Sequence, residues 1–283
     1  MSFSITVKQQ LFDLSTPRVM GILNATPDSF YAGSRVRTEK QIAARANQIV
    51  EEGGTIIDVG AFSTRPGAEQ VSQEEEMKRL KKALKIVRKE QPDVVVSVDT
   101  FRPEVAQMCV EEFGADIIND VSDGGLTGVA NVPLEPETGE LPQMFHMVAQ
   151  LGVPYILMSV QPTLRDVLLG FARKVSQLRT LGVKDIILDP GFGFGKTLDD
   201  NFTLLNEMEK MHVLDLPTLV GVSRKSMIYK TIGGTADTAL NGTTVLHTIA
   251  LTKGANILRV HDVKEAAQTI ALFIRTTQAT TKQ

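Results

Sequence analysis

Polar residues that could bind a ligand stand at the ends of short apolar runs. Asp99, Asn119 and Asp189 each end a run rich in Ile and Val. A buried carboxylate is costly unless a partner satisfies it, and for any one residue that partner could be a loop amide or an arginine. A ligand with adjacent N–H donors would satisfy all three, as an arginine fork satisfies a carboxylate. The edge of a 2-amino-4-oxo heterocycle, such as a pterin or guanine, offers those donors.

A second group of run-end residues is cationic and suits an anionic ligand. Its members are Arg65, Lys225, Arg259 and His261. Converging cations suit a phosphate or diphosphate. The alternative for Arg65 is a surface salt bridge, which contributes little, but Arg65 lies in a stiff Ser-Thr-Arg-Pro-Gly turn. The alternative for His261 is a capping or core histidine. Asn24 and the loop at Asp28 could hold a divalent metal carried by the diphosphate, because Mg²⁺ needs few protein ligands.

The segment 191–197, with the sequence GFGFGKT, is similar to a phosphate-binding P-loop. The P-loop motif needs glycine five positions before the glycine of Gly-Lys-Thr, and Pro190 occupies that position. The sequence also gives no clear signal for a helix at Lys196. We therefore interpret the segment as a glycine-rich loop beside Asp189, whose phenylalanines could face a planar aromatic substrate.

The elements that must position these residues alternate between apolar runs and stretches with helical spacing. This alternation predicts a parallel sheet wrapped by helices, of the α/β class, closed as a (β/α)8 TIM barrel with an N-terminal β extension. The active site of such a barrel lies at the carboxyl ends of its strands. We predict strands at 19–23, 55–60, 94–98, 116–118, 155–158, 186–188, 219–221 and 257–259. We predict helices at 39–51, 73–89 with Ser72 as N-cap, 163–181 and 263–276, and an irregular stretch at 122–142.

Length and composition limit the class of protein. The chain has 283 residues, close to the roughly 250 of one such barrel, so we expect a single domain over 1–283, with a core at about 18–276 and a polar tail at 277–283. A net charge of -3 leaves no basic surface for nucleic acid. No apolar run reaches the length of a membrane span, and the first residues do not resemble a signal peptide. We expect a cytoplasmic protein.

The remaining reactive residue types have structural interpretations. Cys109 is the single cysteine, which excludes an internal disulfide, and its apolar helical setting predicts a buried thiol rather than a nucleophile. His146, His212 and His247 lie on or near predicted helices, and we interpret all three as structural.

Seven segments, taken in chain order, together resemble the dihydropteroate synthase family. They are MGILNATPDSF (20–30), STRPG (63–67), SVDT (97–100), IND (118–120), LDPGFGFGK (188–196), GVSRKS (221–226) and RVHDV (259–263). Each motif alone is modest evidence, whereas seven in order are specific. The resemblance extends from about residue 18 to the last predicted helix.

The resemblance implies an activity. The family joins 6-hydroxymethyl-7,8-dihydropterin diphosphate to 4-aminobenzoate, giving 7,8-dihydropteroate and diphosphate, in folate biosynthesis. Its members are transferases, typically homodimeric barrels that need Mg²⁺ and are inhibited by sulfonamides. We therefore expect small-molecule substrates, Mg²⁺ as cofactor and a homodimer.

The resemblance also implies roles for individual positions. The pterin would be held by Asp99, Asn119, Asp189 and Lys225. The diphosphate would be held by Thr64, Arg65, Arg259 and His261. The 4-aminobenzoate would be held by Phe30, Pro66, Phe194 and Ser226. Asn24 would bind the metal, and Asp99, Arg65 and Lys225 would take part in catalysis.

Two alternative functions remain open at this point. A pterin-dependent methyltransferase would share the Asp and Asn pterin edge but would not need cations for a diphosphate. A catalytically silent pterin-binding subunit is conceivable because Ala32 stands where family members often have Asp. A second departure is Ser159, which follows Met158 where many members have Met-His-Met. Neither departure removes a residue assigned above, so we expect an active enzyme.

Overall fold

The computed structural model describes residues 3–25, 39–61, 71–122 and 140–279. Its strands are β1 (Ser4–Val7), β2 (Gln10–Asp13), β3 (Arg18–Asn24), β4 (Ile56–Gly60), β5 (Val95–Asp99), β6 (Ile117–Asp120), β7 (Tyr155–Met158), β8 (Ile186–Asp189), β9 (Leu219–Val220) and β10 (Ile257–Val260). Its helices are α1 (Glu39–Glu51), α2 (Gln73–Glu90), α3 (Pro103–Phe113), α4 (Gln143–Leu151), α5 (Leu164–Thr180), α6 (Leu198–Asn206), α7 (Ser226–Ile232), α8 (Leu240–Thr252) and α9 (Val263–Ala279), with a 3-10 segment at Met208–Leu214.

Strands β3 to β10 form one parallel sheet in the order β8-β7-β6-β5-β4-β3-β10-β9. A parallel bridge between Leu188 and Thr218 joins the two ends of this order and closes the sheet into a barrel. Helices pack on the outside, so the strands are covered on both faces, which explains why β4 is buried at every position. The predicted α/β barrel is confirmed.

The amino-terminal end of the barrel is sealed by the hairpin β1–β2, which is the predicted N-terminal extension. Lys8 and Gln9 take positive φ angles of 50° and 62° at the hairpin turn. Ile5 and Val7 of the hairpin, with Leu14, pack against one apolar side chain from each barrel strand. Those eight side chains are Met20, Ile56, Val95, Ile117, Ile156, Ile187, Leu219 and Ile257. The opposite, carboxyl end of the barrel is therefore the end that can admit a ligand.

Several barrel strands extend further than the sequence predicts. Strand β6 continues through Asn119 and Asp120, β5 includes Asp99, β8 includes Asp189 and β10 reaches Val260. The polar residues just beyond the predicted strand bounds, Asp99, Asn119, Asp120 and Asp189, therefore belong to the hydrogen-bonded ladder. A strand that is predicted from its apolar composition stops too early. The ladder is formed by backbone groups and tolerates a polar side chain at its end.

Helix boundaries match the sequence prediction with two corrections. The Ser72 side chain accepts a hydrogen bond from the Glu75 amide, as predicted for an N-cap. Helix α9 continues to Ala279, into the predicted tail. A helix does follow the glycine-rich loop: α6 begins at Leu198 with Thr197 as N-cap, and Thr197 and Asp200 form a capping box.

Candidate active site

Four strand-end positions lie side by side at the carboxyl end of the barrel. Asn24 is paired with Gly60, Gly60 with Asp99, and Asp99 with Asn119, along β3, β4, β5 and β6. A Cβ atom on Gly60 would lie 3.3 Å from the Asn24 Oδ1 atom and 3.8 Å from an Asp99 carboxylate oxygen. The absence of a side chain at Gly60 thus lets the Asn24 and Asp99 side chains approach each other.

Asp58 connects two of the predicted site residues. Its Oδ2 atom accepts hydrogen bonds from Arg259 Nε at 2.7 Å and from Asn119 Nδ2 at 3.2 Å. Arg259 Nη2 also donates to Asp99 Oδ2 at 2.8 Å. Strands β4, β5, β6 and β10 are therefore joined inside the barrel by one network centred on Arg259 and Asp58.

Four buried oxygen atoms in this network or next to it have no hydrogen-bond partner among the described residues. They are Asp58 Oδ1, Asp99 Oδ1, Asn119 Oδ1 and Ser97 Oγ. An unsatisfied buried polar atom costs about 1–3 kcal/mol, so a cluster of them is unusual unless a ligand supplies the partners. Three of the four are pure acceptors, and they therefore suit a ligand edge that donates hydrogen bonds.

The charges in this network shift its titration. Burial raises the pKa of Asp99 to about 7, against the attraction of Arg259 and with added repulsion from Asp58. Burial alone would lower the pKa of Arg259, but Asp58 and Asp99 outweigh it and raise that pKa. The guanidinium thus stays charged, whereas the Asp99 carboxyl titrates near neutral pH. Perturbed groups of this kind are concentrated at functional sites.

Asp189, at the end of β8, and Lys225, immediately before α7, carry charges that influence each other's titration. Burial lowers the pKa of Lys225 to about 7, opposed mainly by the Asp189 charge. Burial raises the pKa of Asp189, opposed mainly by Lys225. The Asp189 Oδ1 atom accepts a hydrogen bond from the Gly191 amide at 2.8 Å. The Lys225 ammonium donates to the Phe192 carbonyl and lies 4.4 Å from the centre of the Phe194 ring.

The glycine-rich loop after β8 is held against the end of β7. Gly191 and Gly195 have φ angles of +71° and +62°, and a Cβ atom at these positions would lie 2.0 Å and 2.3 Å from the carbonyl oxygens of Ser159 and Val160. Lys196 Nζ donates to the carbonyl oxygens of Ser159, Gly191 and Phe194 at 3.1–3.2 Å. Lys196 thus fastens the loop rather than facing a phosphate, which supports the rejection of a P-loop.

The remaining described site residues lie in the segments that follow β8, β9 and β10. His261 follows β10, and its Nδ1 atom is 3.0 Å from Ser223 Oγ. Ser226 is the first residue of α7. Phe194 packs against Val121, Met158 and Val160. The structure therefore brings Asp99, Asn119 and Arg259 into one network and places Lys225 beside Phe194.

Four predicted ligand-binding residues lie outside the described residues, as does Ala32. They are Phe30, Thr64, Arg65 and Pro66. Sequence reasoning missed Asp58, because it lies inside an apolar run that predicts a buried strand. The available signal was an acidic residue within such a run, since a fully buried Asp needs a partner.

Cys109 and the three histidines other than His261 lie on helical segments. Cys109 is buried on α3, and burial raises the pKa of its thiol, as expected for an inert side chain. His247 is buried on α8, and burial lowers its pKa to about 4. His146 is in α4, and His212 is in the 3-10 segment. Within the described ranges, no helix is long and apolar enough to cross a membrane.

A divalent metal at this site would need ligands from water and phosphate in addition to those from the protein. Among the residues that the structure describes, no group of three His, Cys, Asp or Glu side chains could hold a metal ion. The Asn24 amide oxygen, beside Asp99, fits a hard cation that takes its other ligands from water and phosphate. Mg²⁺ bound together with a diphosphate is compatible with this arrangement.

The fold and site together define an α/β-barrel enzyme with a pterin-binding site, and comparisons with known proteins agree. Residues 20–261 match the profile of the pterin binding enzyme family. The chain is 38% identical over 269 residues to the dihydropteroate synthase of Escherichia coli (strain K12), covering 94% of each chain.

Solved structures give the same result. A Yersinia pestis dihydropteroate synthase in complex with a sulfonamide drug has a TM-score of 0.87 and 33% identity, covering 98% of this chain and 100% of that chain. A Xanthomonas albilineans dihydropteroate synthase with 4-aminobenzoic acid has a TM-score of 0.82 and 32% identity, covering 98% and 99% of the two chains. The chain belongs to the dihydropteroate synthase family and is a transferase of folate synthesis.

Proposed function

We propose that this chain condenses 6-hydroxymethyl-7,8-dihydropterin diphosphate with 4-aminobenzoate, releasing diphosphate. The observation that carries the proposal is the cluster of unpartnered buried acceptors on Asp58, Asp99 and Asn119, together with the electrostatically coupled Asp189 and Lys225. Together these groups match the N–H donors, ring nitrogens and carbonyl of a pterin. The relative from Xanthomonas albilineans with 4-aminobenzoic acid supports the second substrate.

The pterin would be oriented by groups on three strands and one helix start. Asp189 would accept from two adjacent N–H groups of the ring, a charge-assisted pairing. Asn119 would contact the pyrimidine edge, and Lys225 would donate to the carbonyl and a ring nitrogen. Because Lys225 lies close to the Phe194 ring, the aromatic side chain would also limit the access of water to Lys225.

Bond cleavage would proceed by ionisation of the pterin CH₂–O bond, because the ring delocalises the resulting cation. Asp99 would stabilise that cation electrostatically. The negative charge on the departing diphosphate would be stabilised by Arg259, His261, Thr64 and Arg65. The arylamine then attacks the CH₂ carbon and loses a proton. No covalent intermediate with the protein is required.

The 4-aminobenzoate would bind next to the pterin CH₂ group, between the glycine-rich loop and the start of α7. Phe194 would pack on the aromatic ring, and Ser226 would hydrogen-bond the carboxylate at the first turn of the helix. Phe30 and Pro66 would complete the pocket. Mg²⁺ bound to the diphosphate would supply further charge neutralisation, with Asn24 as its protein ligand.

We further propose a cytoplasmic homodimer. The family resemblance motivates both statements. Ile232 on α7 and Val245 on α8 are 55% and 50% exposed, and apolar side chains on two adjacent helices suit a contact with a second copy. Sedimentation equilibrium would show a species of twice 30.9 kDa, whereas a monomer at micromolar concentration would contradict the dimer.

One assay separates this function from its two alternatives. The protein is incubated with pterin diphosphate and Mg²⁺, with and without 4-aminobenzoate, and diphosphate and pteroate are measured. We expect aminobenzoate-dependent release of diphosphate with an equal amount of 7,8-dihydropteroate. Pterin binding without release would favour a silent subunit, and methyl transfer from a methylated pterin would favour a methyltransferase.

A further inference from the structure

The backbone of His261 is fixed on both sides by neighbouring side chains. Arg45 of α1 donates from Nη2 to the His261 carbonyl oxygen at 2.7 Å and from Nε to the Ile22 carbonyl oxygen at 3.2 Å. The His261 amide donates to Ser223 Oγ at 3.1 Å. The backbone of His261 is therefore held in place at both its amide and its carbonyl group.

The residues next to Ser223 and His261 form a buried ion pair. Arg224 donates from Nε and Nη2 to the two carboxylate oxygens of Asp262 at 2.8 Å and 2.7 Å. Arg224 itself has a φ of +56°, and its amide donates to Thr243 Oγ1 at 3.0 Å. This two-point pairing fixes the segment that contains Ser223 and Lys225 relative to the segment that contains His261.

The hydrogen-bond inventory of Ser223 determines the proton position on His261. Ser223 is 4% exposed, and its hydroxyl oxygen already accepts the His261 amide proton. In the part of the chain that the structure describes, the only other partner of this hydroxyl is His261 Nδ1, at 3.0 Å. A buried hydroxyl hydrogen without an acceptor is costly, so Ser223 donates to Nδ1. Nδ1 is then an acceptor, and the imidazole proton is on Nε2.

We propose that Ser223 is a positioning residue that holds His261 as the tautomer protonated at Nε2, so that Nε2–H is the donor presented to the diphosphate. The inference rests on the proposed function, in which His261 binds that group. Ser223 acts through His261 and need not touch the substrate. The opposite tautomer would place a lone pair at Nε2, which would repel an anion.

The tautomer can be measured without substrate or turnover. Long-range ¹H–¹⁵N spectra of ¹⁵N-histidine-labelled protein are recorded for the wild type, Ser223→Ala and Ser223→Thr. The chain has four histidines, and His261→Gln identifies the signal. We expect His261 to have an unprotonated Nδ1 in the wild type and in Ser223→Thr, and a mixture of tautomers in Ser223→Ala. His247 serves as an internal control whose signals should not change between variants.

Binding completes the test with two simple probes, inorganic diphosphate with Mg²⁺ and 6-hydroxymethylpterin. Loss of the Ser223 hydrogen bond should weaken binding of diphosphate about five- to tenfold in Ser223→Ala, with recovery in Ser223→Thr. Binding of the pterin should change by less than about twofold. Equal weakening of both probes would indicate general disruption of the site and would overturn the inference.

The outcomes separate this inference from the proposed function. A wild-type His261 protonated at Nδ1, in an enzyme that forms 7,8-dihydropteroate, would overturn the role of Ser223 alone. Failure of the wild type to form product would overturn the proposed function. The tautomer of His261 would still be tested directly by its spectrum.

Discussion

Arg259 contacts two carboxylates that have different roles in the proposed site. Asp58 is fully buried and holds both Arg259 and Asn119, whereas Asp99 is the last residue of its strand and its carboxylate is bonded, among the described residues, to Arg259 alone. Replacing a hydrogen-bonded carboxylate that connects two functional residues should disturb both of them. The charge of Asp58 also adds to the pKa shift of Asp99, after the larger effect of burial. These single-residue relations lead to two predictions on pH dependence.

The first prediction concerns the pH dependence of kcat/KM for the pterin diphosphate. This ratio reports the pKa values of groups in the free enzyme. Asp99 must be ionised to stabilise a cation, so activity should rise as pH increases through its pKa of about 7. Lys225 must be protonated to donate, so activity should fall as pH increases through its pKa of about 7. We expect a narrow bell-shaped profile with its maximum near neutral pH. A flat profile from pH 5 to 9 would contradict these assignments.

The second is the variant Asp58→Asn, which removes a negative charge close to Asp99. The acidic limb of the kcat/KM profile should move to lower pH. Without the Asp58 charge, Asp99 experiences less repulsion, and Arg259 no longer divides its attraction between two carboxylates. Asp116→Asn is the matched control, since Asp116 is also a buried acid paired with an arginine, Arg88, at 2.8 Å, but far from the site at the other end of the barrel. The control should lower stability and leave the limb in place. A limb that moves upward in Asp58→Asn would contradict the network.

At the scale of elements, the sequence determines which segments become strands more clearly than where they end. Runs such as 94–98 are predicted by their β-branched residues, and β7 matches its predicted bounds. Asp99 and Asn119 extend the ladder because backbone pairing, not side-chain polarity, ends a strand. Helix α6 was missed, although the capping-box residues Thr197 and Asp200 mark its start. Asp58 was missed because it lies inside an apolar run and because its partner Arg259 is distant in sequence.

The glycine-rich loop allows a matched test of close packing. Gly195 and Gly152 have almost equal φ angles, +62° and +63°, but a Cβ atom on Gly195 would lie 2.3 Å from the Val160 carbonyl oxygen, while one on Gly152 would have no atom within 4 Å. Gly152→Ala should cost about 1–2 kcal/mol of unfolding free energy from its backbone conformation alone. Gly195→Ala should cost about 1–3 kcal/mol more and raise the KM for 4-aminobenzoate, because Phe194 moves with the loop.

Urea unfolding and steady-state kinetics provide both quantities. Equal losses of stability in Gly195→Ala and Gly152→Ala would show that the loop moves away from β7 without resistance. That result would contradict the fixed position assigned to Phe194.

At the scale of the whole molecule, the two ends of the barrel have separate tasks. The hairpin seals the amino-terminal end with apolar side chains, and the carboxyl end collects the charged ones. This division was predictable, because every strand of a (β/α)8 barrel has the same direction and function is restricted to the carboxyl end. The tight pairing of Arg259 with Asp58 and Asp99 was not, since it depends on side-chain directions across non-adjacent strands.

The sealing role of the hairpin predicts a loss of stability without a loss of function. Ile5 is 1% exposed at the end of the barrel, whereas Leu11 on the same hairpin is 77% exposed. Ile5→Ala should lower the unfolding free energy by about 2–4 kcal/mol, and Leu11→Ala should change it by less than about 0.5 kcal/mol. Both variants should keep the KM values of the wild type at a temperature where they are folded. A large change in KM for Ile5→Ala would show that the two ends are coupled.

The central claim is that the carboxyl end of the barrel holds a pterin by its hydrogen-bond donors, with Asp189 as a charged acceptor. Strand β8 offers a matched pair, because Asp189 ends it and Asp185 immediately precedes it at the opposite end of the barrel. Calorimetric titration with 6-hydroxymethylpterin should give about tenfold or greater weakening in Asp189→Asn, from the loss of a hydrogen bond to a charged group. Asp185→Asn should bind within about twofold of the wild type. Wild-type affinity in Asp189→Asn, or equal losses in both variants, would contradict the claim.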